Sequence, residues 1–115
     1  MILKPKLLIA TDSFLPRWDG ITRFLADMIP ELTNKFEITI LCPKFNGDIE
    51  FKEKIRAIRL PIKSQKAYYP KVDTKPIAQI IEKADIVFVP SLGPIGSSSI
   101  KIAKKMKKAV IANIQ

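Results

Sequence analysis

The residues with the most chemical potential sit in two turn-rich stretches, 12–20 and 90–96. The first carries two carboxylates, Asp12 and Asp19, around Ser13, Phe14, Pro16, Arg17 and Gly20. Two carboxylates aimed at one bond can hydrolyse it by acid/base chemistry, but nothing in the spacing sets their separation, and helix caps or solvated turn residues are the simpler roles. The second carries Ser91, Leu92, Gly93 and Gly96, followed by Ser97, Ser98 and Ser99. A nucleophilic serine needs a base, and the chain has no histidine, so the three serines read as the cap and first turn of a helix. Gly20 and Gly96 each precede a helical pattern, where backbone N–H groups attract anions and glycine admits a phosphate, although an ordinary turn is the simpler reading. Neither stretch has the glycine spacing of a dinucleotide fingerprint or a P-loop.

These stretches need elements to hold them. Residues 6–11 and 85–90 are short, nearly continuous apolar runs, as expected for strands buried on both faces of a parallel sheet. Residues 37–43, 55–60 and 109–114 are further strands. Ile21, Phe24, Leu25, Met28, Ile29 and Leu32 form one helical stripe, with Pro30 bending it or marking its last turn. Ile77, Ile80, Ile81 and Ala84 form a second stripe, capped by Asp73 or Thr74 with Pro76 in the first turn, and residues 97–107 a third helix. The order β-α-β-β-α-β-α-β predicts a single Rossmann-like, doubly wound, mostly parallel five-stranded α/β sheet over residues 1–115. Keeping the second and third strands parallel requires a crossover within residues 43–54. With strand order 3-2-1-4-5, the ligand crevice falls between the first and fourth strands, at the two loops above.

Composition narrows the classes further. The 115 residues are 47% apolar and 27% charged, enough for one core and too apolar for disorder. No apolar run is long enough to span a bilayer and the N-terminus lacks a signal-peptide pattern, so a cytoplasmic location is expected. One cysteine, Cys42, lies in an apolar run and reads as a buried, inert thiol; with no histidine, no metal site or cofactor is expected. The formal charge is +9, and most of the excess lies in residues 63–115. The densest run is Lys104, Lys105, Lys107 and Lys108. It suits the end of a helix and a solvated face, with weak contact to an anionic membrane as a second role and no motif for nucleic acid.

Residues 7–21 contain Thr11-Asp12-Ser13-Phe14-Leu15-Pro16 followed by Asp19-Gly20, and residues 84–96 read Ala-Asp-Ile-Val-Phe-Val-Pro-Ser-Leu-Gly-Pro-Ile-Gly. Together with residues 24–32 and 37–43, these stretches resemble the N-terminal domain of the family 4 retaining glycosyltransferases. The resemblance covers nearly the whole chain, but only the N-terminal half of that family.

It implies one half of a two-Rossmann-domain hexosyltransferase, in which this half holds most of the acceptor site and a C-terminal half binds the nucleotide sugar. The implied substrate-binding residues are Asp12, Ser13, Phe14, Pro16, Arg17, Asp19, Gly20, Ser91, Leu92, Gly93 and Gln115; no catalytic residue is assigned. The implied partners are the donor-binding domain or subunit and a sugar or lipid-linked acceptor. Asp19 stands where the family has the first glycine of a pair, Pro90 stands where a histidine is frequent, and Gln115 lies near the position of another. Without the donor half, this chain is expected to be inactive alone. The alternatives are a stand-alone binding or interaction module of the same fold, or an unrelated Rossmann-like protein binding nucleotide or nucleic acid. The resemblance also predicts an exposed apolar docking patch of Phe14, Leu15, Trp18, Leu92 and Ile95.

Overall fold

The computed structural model describes residues 4–44, 55–61 and 73–112. Its elements are β1 (Lys6–Ala10), α1 (Gly20–Leu32), β2 (Glu37–Pro43), β3 (Arg56–Leu60), α2 (Thr74–Glu82), β4 (Ile86–Val89), α3 (Pro94–Lys105) and β5 (Ala109–Ala112). The five strands form one parallel sheet in the order β3-β2-β1-β4-β5. This is the α/β, doubly wound arrangement expected from the alternation of apolar runs and helical stripes. The expected crossover between β2 and β3 lies mostly outside the described residues, although β2 and β3 do pair in parallel.

Alternation along the strands divides the core in two. Leu7, Ile9, Ile38, Ile40 and Cys42 pack toward α1, under Leu25 and Ile29. Leu8, Ala10, Leu41, Val87 and Val89 pack on the other face, against Ile77 and Ile81 of α2 and Ile95 and Ala103 of α3. Each such fully buried aliphatic side chain contributes about 2 kcal/mol, which is why both faces of the central strands are apolar. Pro30 falls in the last turn of α1, where the helix continues to Leu32 and closes with Thr33 N–H donating to Ile29 O at 3.0 Å. Asp73 caps α2 through the Lys75 N–H, at 3.1 Å.

The third helix differs from expectation. It starts at Pro94, not at residue 97, with Gly93 as N-cap and proline in the first turn. Proline is well suited to that position, because its missing N–H would have had no helical partner. Ser97 is therefore not a cap; its Oγ donates to Leu92 O at 2.7 Å, and Ser99 is buried with no hydrogen-bond partner for its hydroxyl among the described residues.

Candidate functional site

Because β1 and β4 are adjacent and parallel, the loops that leave them emerge at the same end of the sheet, where the strand order reverses. They are joined there by Asp12. Its backbone N–H donates to Ser91 Oγ at 3.0 Å, and that hydroxyl donates back to Asp12 Oδ2 at 2.9 Å. Ile95 N–H donates to Oδ1 at 2.7 Å and Gly96 N–H to Oδ2 at 3.1 Å. The N-cap of α3, Gly93, has no side chain, so Asp12 supplies the capping carboxylate from the far side of the crevice. Glycine is required here: a Cβ on Gly93 would lie 2.4 Å from Asp12 Cγ, and one on Gly96 would lie 1.9 Å from Ser91 O.

The second carboxylate works inside its own loop. Asp19 is the N-cap of α1, and Thr22 N–H donates to its Oδ1 at 2.9 Å. Ser13 Oγ donates to Oδ2, and Ser13 Oγ also lies 3.3 Å from Thr22 Oγ1. Ser13 is itself fixed by Thr11, whose Oγ1 accepts from Ser13 N–H at 3.1 Å and donates to Ser13 O at 2.7 Å. Partial burial pushes the Asp19 carboxyl up, but the hydrogen bonds from Ser13 and Thr22 and the nearby Arg17 charge outweigh it and leave the group below its ordinary value. Arg17 Nε is 3.9 Å from Asp19 Oδ2 and remains largely exposed.

The structure thus brings Asp12, Ser91 and Gly93 into one cluster and Ser13, Asp19 and Gly20 into another, connected through the Asp12–Ser13 backbone. Each carboxylate serves its own helix, so the pair is not aimed at a common bond. The Ile95 and Gly96 N–H groups, candidates for phosphate contact, are taken by Asp12; Gly20 has open space around the position of a Cβ. Gln115 lies outside the described residues. No group of three His, Cys, Asp or Glu side chains able to hold a metal ion occurs among the described residues.

The expected apolar patch needs correction. Phe14 is fully buried on the α1 side, with the Arg59 guanidinium 5.8 Å from its ring centroid, and Ile95 is fully buried between α3 and the sheet. The two loops must close the ends of both core layers, and these side chains do so. Leu15 and Pro16 are half-buried, across a cis peptide bond. What faces outward is Trp18, 61% exposed, Leu92, 51% exposed, and Arg17. The sequence reading missed the role of Asp12 as the cap of α3, because no local pattern marks a cap contributed from more than eighty residues away. Pro94 was the one signal that placed the helix start earlier.

The site is therefore a rigid polar base beneath an exposed indole, an aliphatic side chain and a guanidinium. Such a rim suits binding better than bond-breaking: an indole offers a flat apolar surface with a polar edge, and a guanidinium offers planar donors. Comparison with family models, with curated protein sequences and with solved structures finds no match to this chain. No helix among the described residues is long and apolar enough to cross a membrane.

Proposed function

We propose that this chain is the acceptor-binding N-terminal half of a nucleotide-sugar-dependent retaining glycosyltransferase, inactive until joined by a donor-binding domain. The observation that carries the reading is the Asp12 junction, which unites the two loops through which the sequence resembles that enzyme family. The strand order supports it, since the junction sits at the reversal point used by ligands in such sheets. In this reading Trp18 stacks on an acceptor sugar and Arg17 holds a polar or anionic substituent. Lys104, Lys105, Lys107 and Lys108 could bring a lipid-linked acceptor's membrane close, although they lie toward the opposite end of the strands. In this reading a departing diphosphate is stabilised by cationic groups of the donor-binding domain, so transfer requires that domain.

Trp18 is the single tryptophan of the chain, so its fluorescence reports on the site directly. Titration with neutral and phosphorylated hexoses is expected to change that fluorescence saturably and to be abolished by Arg17→Ala with Trp18 retained. Hydrolysis of UDP-glucose by the chain alone is expected to be absent. A second reading, a stand-alone binding module without catalysis, is favoured by the occupation of both helix N-termini by the chain's own carboxylates. A flat Trp18 response across the sugar panel would overturn the first reading and leave the second.

A further inference from the structure

The opposite end of the sheet, where the strands begin, holds a cavity of about 370 Å³ between the sheet and α2. Leu8 and Ile58 of the sheet and Ile80 and Ala84 of the helical side give it an apolar base. Its rim is charged: Lys6, Glu37 and Arg56 begin the three adjacent strands β1, β2 and β3, and Lys83 stands at the end of α2. Lys6 is opposite Glu37 in the register and Arg56 is opposite Thr39, whose side chain also lines the space. Three cations thus face one carboxylate. Among the described residues, the side chains of Lys6, Arg56 and Lys83 make no hydrogen bond or salt bridge, so their charge is available.

The surroundings reinforce the sign. Parallel strands with returning helices place helix C-termini at this end, and Lys104, Lys105, Lys107 and Lys108 gather there just before β5. Lys108 Nζ donates to Glu82 O at 2.9 Å, offsetting the negative end of α2 next to the cavity. An apolar base with a cationic rim, of a volume within the usual range for small-molecule sites, selects ligands that have both an apolar body and an anionic head.

We infer that this cavity binds a small amphiphilic anion, an alkyl or aryl phosphate or carboxylate, with its head at Lys6, Arg56 and Lys83 and its tail against Ile58 and Ile80. The site is separate from the Asp12 junction and does not rest on the transferase reading. Guanidinium and ammonium groups both accept either head, so phosphate and carboxylate are distinguished by the test and not by the geometry.

The test is a titration of the ¹⁵N-labelled chain with hexyl phosphate and with hexanoate, alongside hexanol and inorganic phosphate. At least one of the two amphiphilic anions is expected to shift the amide resonances of Thr39, Ile58 and Ile80 saturably, and the tighter of them identifies the head. Hexanol and inorganic phosphate are each expected to bind about tenfold more weakly or worse, since each lacks half of the recognition. Arg56→Gln combined with Lys83→Gln, both exposed positions, is expected to weaken the anion about tenfold with an unchanged melting temperature. Hexanol binding as well as the anions, shifts centred on residues 12–20, unchanged affinity in the double variant, or no shift with either anion would each overturn the inference.

Discussion

The N-termini of α1 and α3 solve one physical problem in two ways. Both expose backbone N–H groups that need an acceptor, and both receive an aspartate carboxylate. In α1 the acceptor is the N-cap itself, Asp19, three residues before the Thr22 N–H that donates to it. In α3 the cap is a bare glycine and the carboxylate arrives from Asp12, at the end of a different strand. The first arrangement is local and stabilises one helix. The second is tertiary: it stabilises the helix only when β1 and β4 are already side by side, so the same hydrogen bonds also hold the crevice in shape.

The largest expected contrast between the two helix starts lies in their glycines. Gly96→Ala forces a Cβ against the Ser91 backbone carbonyl and is expected to cost about 3 kcal/mol in chemical denaturation. Gly20→Ala, with nothing near its Cβ position, is expected to be neutral or stabilising by up to about 1 kcal/mol. Equal losses at both positions would mean that the tight approach at α3 is not what its glycine serves.

A smaller effect is expected from Asp12→Ala, which removes the shared carboxylate and costs about 2 kcal/mol. The vacated N–H groups of Ile95 and Gly96 then become an anion site, so millimolar phosphate should recover part of the loss in the variant and do nothing comparable for the parent chain. Denaturation curves with and without phosphate measure both. Identical phosphate responses would show that the carboxylate does not occupy that position.

The smallest effect belongs to the local cap. Asp19→Asn keeps an acceptor for Thr22 N–H and is expected to change stability by less than about 1 kcal/mol at neutral pH. Its consequence appears in acid. The folded chain holds the Asp19 carboxyl below its ordinary value, so its contribution is present above the unfolded carboxyl's pKa, about 4, and disappears as pH falls through the lower folded value. Between neutral pH and pH 3, the parent chain should therefore lose more stability than Asp19→Asn, as read from melting temperatures across that range.

The elements and their order were legible because burial on both faces writes itself into β1, β2 and β4 as continuous apolar runs. The location of the crevice followed from topology alone, since the loops after β1 and β4 must meet where strand order reverses. Side-chain direction was not legible. Phe14 and Ile95 look like surface candidates in a turn-rich stretch, yet they plug the two core layers; nothing in a loop's composition tells which residues point inward. The carboxylate of Asp12 was equally opaque, because its partners are backbone groups on a helix that the three serines made appear to start later. The cavity at the other end was invisible for a related reason: Lys6, Arg56 and Lys83 are scattered along the chain and become neighbours only through strand register and helix packing.

Strand β5 ends the sheet with Ala109, Val110, Ile111 and Ala112, and among the described residues only β4 pairs with it. An uncharged strand with one side unpaired among the described residues, carrying an Ile111 side chain 56% exposed, is a template on which another extended chain can grow. Lys107 and Lys108 directly precede it and act as gatekeepers whose mutual repulsion opposes stacking of copies. Because salt screens that repulsion while leaving the apolar edge attractive, self-association through this edge is expected to rise with ionic strength.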